Sequence, residues 1–82
     1  MYKALVYVTL KPSILDPQGN AVQVGLNSLG FDNVKDVRIG KYLEVTLEAE
    51  DKASALAQTE EMCKKLLANP VIENYRFDLM EV

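Results

Sequence analysis

Apolar and polar positions alternate along Tyr2–Leu10, with Val6, Val8 and Leu10 on one face and Leu5, Tyr7 and Thr9 on the other. The run is rich in β-branched and aromatic residues, so it predicts a strand, which Pro12 stops. The period then changes. Val22, Gly25, Leu26 and Leu29 recur at helical spacing, Asp16-Pro17 supplies an acidic N-cap with proline at the first helical position, and Gly30 supplies a C-cap. Val34–Ile39 predicts a short second strand with Val37 and Ile39 inward, and Gly40-Lys41 a tight reversal. Tyr42–Ala49 alternates cleanly, with Leu43, Val45, Leu47 and Ala49 opposite Tyr42, Glu44, Thr46 and Glu48, as a half-buried strand does.

Asp51 opens a second helix whose apolar stripe is Ala55, Leu56, Met62, Cys63, Leu66 and Leu67. Glu60 with Lys64, and Glu61 with Lys65, form acid-first i,i+4 pairs on its outer side. Asn69-Pro70 ends that helix, and Ile72–Met80 closes the chain as a strand with Tyr75, Phe77 and Leu79 on one face. The order β-α-β-β-α-β predicts an α+β, ferredoxin-like (split βαβ) two-layer sandwich. In it a four-stranded antiparallel sheet carries both helices on one face, within a single domain over residues 1–82.

Composition narrows the chemistry. A chain of 82 residues buries a modest core, and small domains are often supported by disulfides, a metal or oligomerisation. One cysteine and no histidine remove the first two in their usual forms, which leaves oligomerisation. Twelve acidic against nine basic residues give a net charge of −3, which argues against nucleic acid as a partner. No signal peptide and no apolar run of membrane-spanning length is read, so a cytoplasmic location with no membrane contact is expected.

Candidate catalytic groups are sparse. Without histidine the commonest general base is missing, and Cys63 sits on an apolar stripe, where a buried structural thiol is expected. Glu44 and Glu48 share a strand face but lie about 13 Å apart, too far for a glycosidase-type pair. The four glycines match no phosphate-cradling motif. Gly25, inside a helix, costs about 1 kcal/mol against alanine and points to a close approach. No catalytic, cofactor-binding or metal-binding residue is therefore assigned.

Two surfaces stand out instead. Nothing from Pro17 through Phe31 carries a charge, so the expected outward helix face, with Asn20, Val24 and Asn27, reads as a partner contact. Leu5, Tyr7, Tyr42 and Met80 fall on the sheet face away from the helices and read as a self-association surface. Arg38 and Lys41, flanking Gly40, are candidate docking points for an acidic patch, Arg38 through forked contacts to carboxylates.

Three segments, KPSILDPQGNAV (11–22), VKDVRIGKYLEV (34–45) and LLANPVIENYRFDLMEV (66–82), resemble the PurS family. Its members are small subunits of phosphoribosylformylglycinamidine synthase, the glutamine-dependent ligase of purine biosynthesis. The resemblance covers essentially the whole chain. It implies a homodimer or homotetramer that joins a PurL-type synthetase to a PurQ-type glutaminase. The complex converts formylglycinamide ribonucleotide, ATP and glutamine to the formylglycinamidine, ADP, phosphate and glutamate. It further implies that this subunit has no catalytic residue and binds no cofactor, the complex using ATP and magnesium, while it helps ammonia pass between the larger proteins. An alternative is an ACT-like small-molecule-binding regulatory domain, which shares the element order and would bind an amino acid near Lys11–Gly19.

Overall fold

The computed structural model describes residues 1–82. Three strands form one antiparallel sheet: β1 (Tyr2–Leu10) at the centre, with β2 (Gly40–Leu47) and β3 (Glu73–Glu81) as its two neighbours. The register sets Val6 opposite Leu43 on one side and Phe77 on the other, and Tyr7 opposite Tyr42 and Arg76. Two helices, α1 (Pro17–Ser28) and α2 (Lys52–Met62), complete the regular elements.

The predicted four-stranded sheet is corrected to three, because Val34–Ile39 forms no strand. Its alternation is strand-like, but its backbone is bonded to side chains rather than to a ladder. Gln23 Nε2 donates to the Lys35 carbonyl at 3.0 Å, Asn27 Nδ2 donates to the Val34 carbonyl at 3.3 Å, and the Ile39 N–H donates to Asp16 Oδ2 at 2.7 Å. Gly40-Lys41 is consequently no hairpin turn but the first two residues of β2, paired with Thr9 and Val8.

The core is thin and one-sided. Ala4, Val6 and Val8 of β1 are buried against Cys63 and Ala68, with Tyr75, Phe77 and Leu79 packed around them. Small residues on both surfaces let α2 come close: Ala55, Thr59 and Cys63 are all fully buried. Thr59 was absent from the predicted stripe, and its hydroxyl is satisfied inside the helix by donating to the Ala55 carbonyl at 2.8 Å. After Met62 the helix widens into one π-helical turn, Cys63–Leu67, closed by the Ala68 N–H on the Cys63 carbonyl. That turn carries Leu67 onto the stripe and swings Leu66 off it, where Leu66 is 83% exposed. Leu56, also expected inside, is exposed.

α1 departs furthest from expectation. It makes no substantial packing contact with the sheet or with α2, so only one helix covers the sheet. The chain measures 51 × 27 × 14 Å with a radius of gyration of 16.2 Å, where a compact domain of this length has about 12 Å.

Candidate interaction surfaces

Asp16 organises the first surface. Its Oδ1 accepts the Gly19 N–H at 2.9 Å, the N-cap bond expected of Asp16-Pro17, and its Oδ2 takes the Ile39 N–H. Those two donors, Gly19 first, hold the Asp16 carboxyl below the ordinary aspartate value, and the Arg38 charge adds to the effect. Gly19 has to lack a side chain because a Cβ there would land on the Val37 carbonyl. Arg38 Nη2 donates to the carbonyls of Ile14 at 2.6 Å and Lys11 at 3.0 Å. The strings around residues 11–19 and 36–40 are therefore one interlocked joint between the end of β1, the start of α1 and the start of β2.

That joint already engages part of Arg38, a predicted docking residue. Asn27 is engaged too, its amide donating to the carbonyls of Phe31 at 2.8 Å and Val34 at 3.3 Å. Asn20 and Val24 are exposed on α1, while Lys41 is exposed at the start of β2 rather than on a hairpin tip. The predicted set Arg38, Lys41, Asn20, Val24 and Asn27 is thus spread over the joint, the strand end and the helix. The C-terminus of α1 closes as a Schellman motif: Gly30, at φ +102°, donates to Asn27 and Phe31 donates to Leu26.

The second surface is the sheet face away from α2. Leu5, Tyr7, Tyr42 and Met80 share it, as their alternation required. It is more polar than those four residues suggest. The Tyr7 and Tyr42 rings lie 5.2 Å apart, and the Arg76 guanidinium sits 4.1 Å above the Tyr7 ring. Tyr42 donates to Glu44 at 2.8 Å, and Lys3 reaches Glu44 at 2.9 Å. The hydrogen bond to Glu44 pushes the Tyr42 phenol up to about 12, while Lys3, then Tyr42, hold the Glu44 carboxyl down. A shallow cavity of about 420 Å³ opens at one end of the sheet, lined by Tyr7, Tyr42, Lys41, Asn74 and Arg76 among others. Arg76 and Lys3 were not singled out from the sequence; their positions opposite Tyr7 and beside Glu44 depend on strand register.

Beneath the sheet, α2 lies over β1 and leaves the inner face of β2 partly bare. A groove of about 490 Å³ runs there between Val45 and the residues Met62, Leu66 and Leu67. Cys63 is buried away from it, and burial first, then Glu60, pushes its thiol up, away from the thiolate a nucleophile needs. Tyr75 donates to Glu60, whose carboxylate also lies 3.7 Å from Lys64, and Lys65 pairs with Glu61 at 2.6 Å. No three His, Cys, Asp or Glu side chains gather into a metal cage, and no helix is long and apolar enough to cross a membrane.

The sheet thus carries one covering helix, a projecting helix and two open surfaces. The model of the PurS family, described as phosphoribosylformylglycinamidine (FGAM) synthase, matches residues 3–81. The chain belongs to the PurS family. Its relative in Bacillus subtilis, phosphoribosylformylglycinamidine synthase subunit PurS, is 56% identical over 82 residues, covering 100% of this chain and 96% of its own. The subunit from Synechocystis is 60% identical over 78 residues, 95% of this chain and 78% of its own.

The B. subtilis PurS crystal structure superposes with a TM-score of 0.86 over 99% of this chain and 100% of its own. A chain in the structure of PurLQS from Thermotoga maritima, 30% identical, does so at 0.87 over 96% of each chain. The protein is therefore a PurS subunit of FGAM synthase, a component of purine biosynthesis. Nothing in these similarities supports the small-molecule sensor, and Arg38 ties down the Lys11–Ile14 stretch that such a sensor would use.

Proposed function

We propose that this PurS subunit joins a PurL-type synthetase to a PurQ-type glutaminase as a homodimer or homotetramer. So joined, the two larger proteins pass ammonia between their active sites in the cytoplasm. The complex uses ATP and magnesium, and this chain holds neither. The observation that carries the reading is the full-length likeness to a chain of the Thermotoga PurLQS assembly, together with surface in excess of what the thin core needs.

The open sheet face suits a larger, chemically different partner. Leu5 and Met80 supply apolar contact there and Lys3 a charge, while Tyr7, Tyr42 and Arg76 are residue types enriched in interface hot spots. Lys41 extends that surface at the strand end, where it meets the cavity. Asn20 and Val24 are exposed on the helix. Arg38 holds the joint that aims these elements and has guanidinium nitrogens left for a carboxylate. Self-association, which the sequence assigned to the sheet face, is better suited to the uncharged helix.

The reading is tested by size-exclusion chromatography of matching synthetase and glutaminase with glutamine and ATP. The two should co-elute when this chain is added and run apart without it. Co-elution without it would defeat the joining role. Tyr7→Glu in this chain should abolish co-elution while its own elution is unchanged.

A further inference from the structure

We propose that the hollow at the end of the open sheet face is a small-molecule site that takes a mononucleotide, its base against the tyrosine rings and its phosphate on Arg76. The site goes beyond the joining role and does not rest on it.

The hollow follows from strand register. Tyr42, Tyr7 and Arg76 stand abreast on β2, β1 and β3, and two residues along the same face Gly40, Thr9 and Asn74 stand abreast. A row of long side chains thus drops to a row of short ones, which leaves the cavity of about 420 Å³ between a wall and a floor. Gly40 keeps the floor low at its β2 end, because a Cβ there would land on the Val8 carbonyl. A second hollow of about 270 Å³ shares Thr9 and Asn74 and continues toward Arg38, so an elongated ligand has room. Small-molecule sites commonly have this size.

The wall is held ready for a ring. Tyr42 is fixed by donating to Glu44 at 2.8 Å, and Tyr7 lies 5.2 Å from it under the Arg76 guanidinium. Side chains fixed before binding lose little freedom when a ligand arrives. Tyr42 is nevertheless 50% exposed, and an exposed ring offers a flat apolar face on which a base stacks.

The charge around the hollow selects an anion. No acid lines it, although the chain carries twelve, whereas Arg76 and Lys41 both line it. Arg76 is paired only with Asp78, at 3.9 Å, so its guanidinium keeps donors for a phosphate. The Thr9 hydroxyl and the Asn74 amide, exposed on the floor, supply neutral hydrogen bonds to a sugar. A polynucleotide does not suit the same face. Beyond the wall the next row is Glu44, Leu5 and Asp78, whose acids repel a run of phosphates.

Titration of AMP into the isotope-labelled full chain, followed by amide NMR shifts, tests the site. AMP should saturate and move the amides of Tyr7, Thr9, Asn74 and Arg76 but not those of α2. Adenosine alone and inorganic phosphate alone should each bind roughly tenfold more weakly, the loss expected when a charge-assisted contact or a stacked base is missing. Arg76→Gln, and Thr9→Tyr, which fills the floor, should weaken AMP to a similar degree while amide shifts elsewhere stay in place. No saturation by AMP, shifts confined to other surfaces, phosphate binding as well as AMP, or tighter binding of an oligoadenylate would each overturn the proposal. Those outcomes are read on the unaltered chain, and each leaves the co-elution tests of the joining role standing.

Discussion

Asp16 does two jobs with one carboxylate, and each oxygen faces a backbone N–H from a different part of the chain. Its pKa is lowered on folding, so the unfolded chain binds more protons as pH falls. The stability it confers is thus complete above the ordinary aspartate pKa, near 3.9, and is lost as pH drops through the lower folded value. Asp16→Asn should flatten the acid limb of a urea-unfolding series between pH 6 and about pH 3, relative to wild type; parallel curves would show that the carboxylate is not linked to folding. Gly19→Ala is a steric test of the same joint. The added methyl lands on the Val37 carbonyl and should cost about 1–3 kcal/mol, read by thermal unfolding. The Asp16-Pro17 cap and the Gly30 terminus could be read from the sequence because their partners lie within a turn. The bond from Ile39 and the need for Gly19 could not, because both depend on a segment some twenty residues away.

Elements were legible where their pairing is with neighbours of their own type. β1, β2 and β3 announce themselves by alternation, and Asp51 caps α2 by accepting the Ser54 N–H at 2.8 Å. Val34–Ile39 alternates equally well yet is no strand, since α1 supplies its hydrogen bonds through Gln23 and Asn27. This difference is measurable by amide hydrogen exchange. In a strand of a sheet, alternate amides from Lys35 to Arg38 would be protected; here none of them donates to a protein group, while Ile39 does. Fast exchange through 35–38 with a protected Ile39 is expected, and Asp16→Asn should release Ile39. Slow exchange at 36 or 38 would indicate a ladder. In α2, Thr59 was missed because a hydroxyl does not mark a core; the signal was its spacing, four residues after Ala55 and four before Cys63.

At the scale of the molecule, the first helix forms where its periodicity predicts but does not pack on the sheet. An apolar stripe predicts burial but does not name the surface that covers it. The extended shape follows directly: a sheet covered by one helix, and a second helix held out by the Asp16 joint. The rings and charges of the open sheet face could not be read from composition, because they needed the register of three strands. Arg76→Glu, at the centre of that face, removes the cation over Tyr7 and adds an acid. It should weaken co-elution with the larger subunits at least tenfold in concentration dependence while the mass of the chain alone stays constant.

The joining role itself is tested most directly by turnover. Matching synthetase and glutaminase should use ammonium salts to make the formylglycinamidine equally well with or without this chain. With glutamine as the nitrogen source, turnover should rise many-fold on its addition, and each glutamine hydrolysed should yield one amidation. Full glutamine-dependent turnover without the chain, or an equal stimulation of the ammonium reaction by it, would contradict the account.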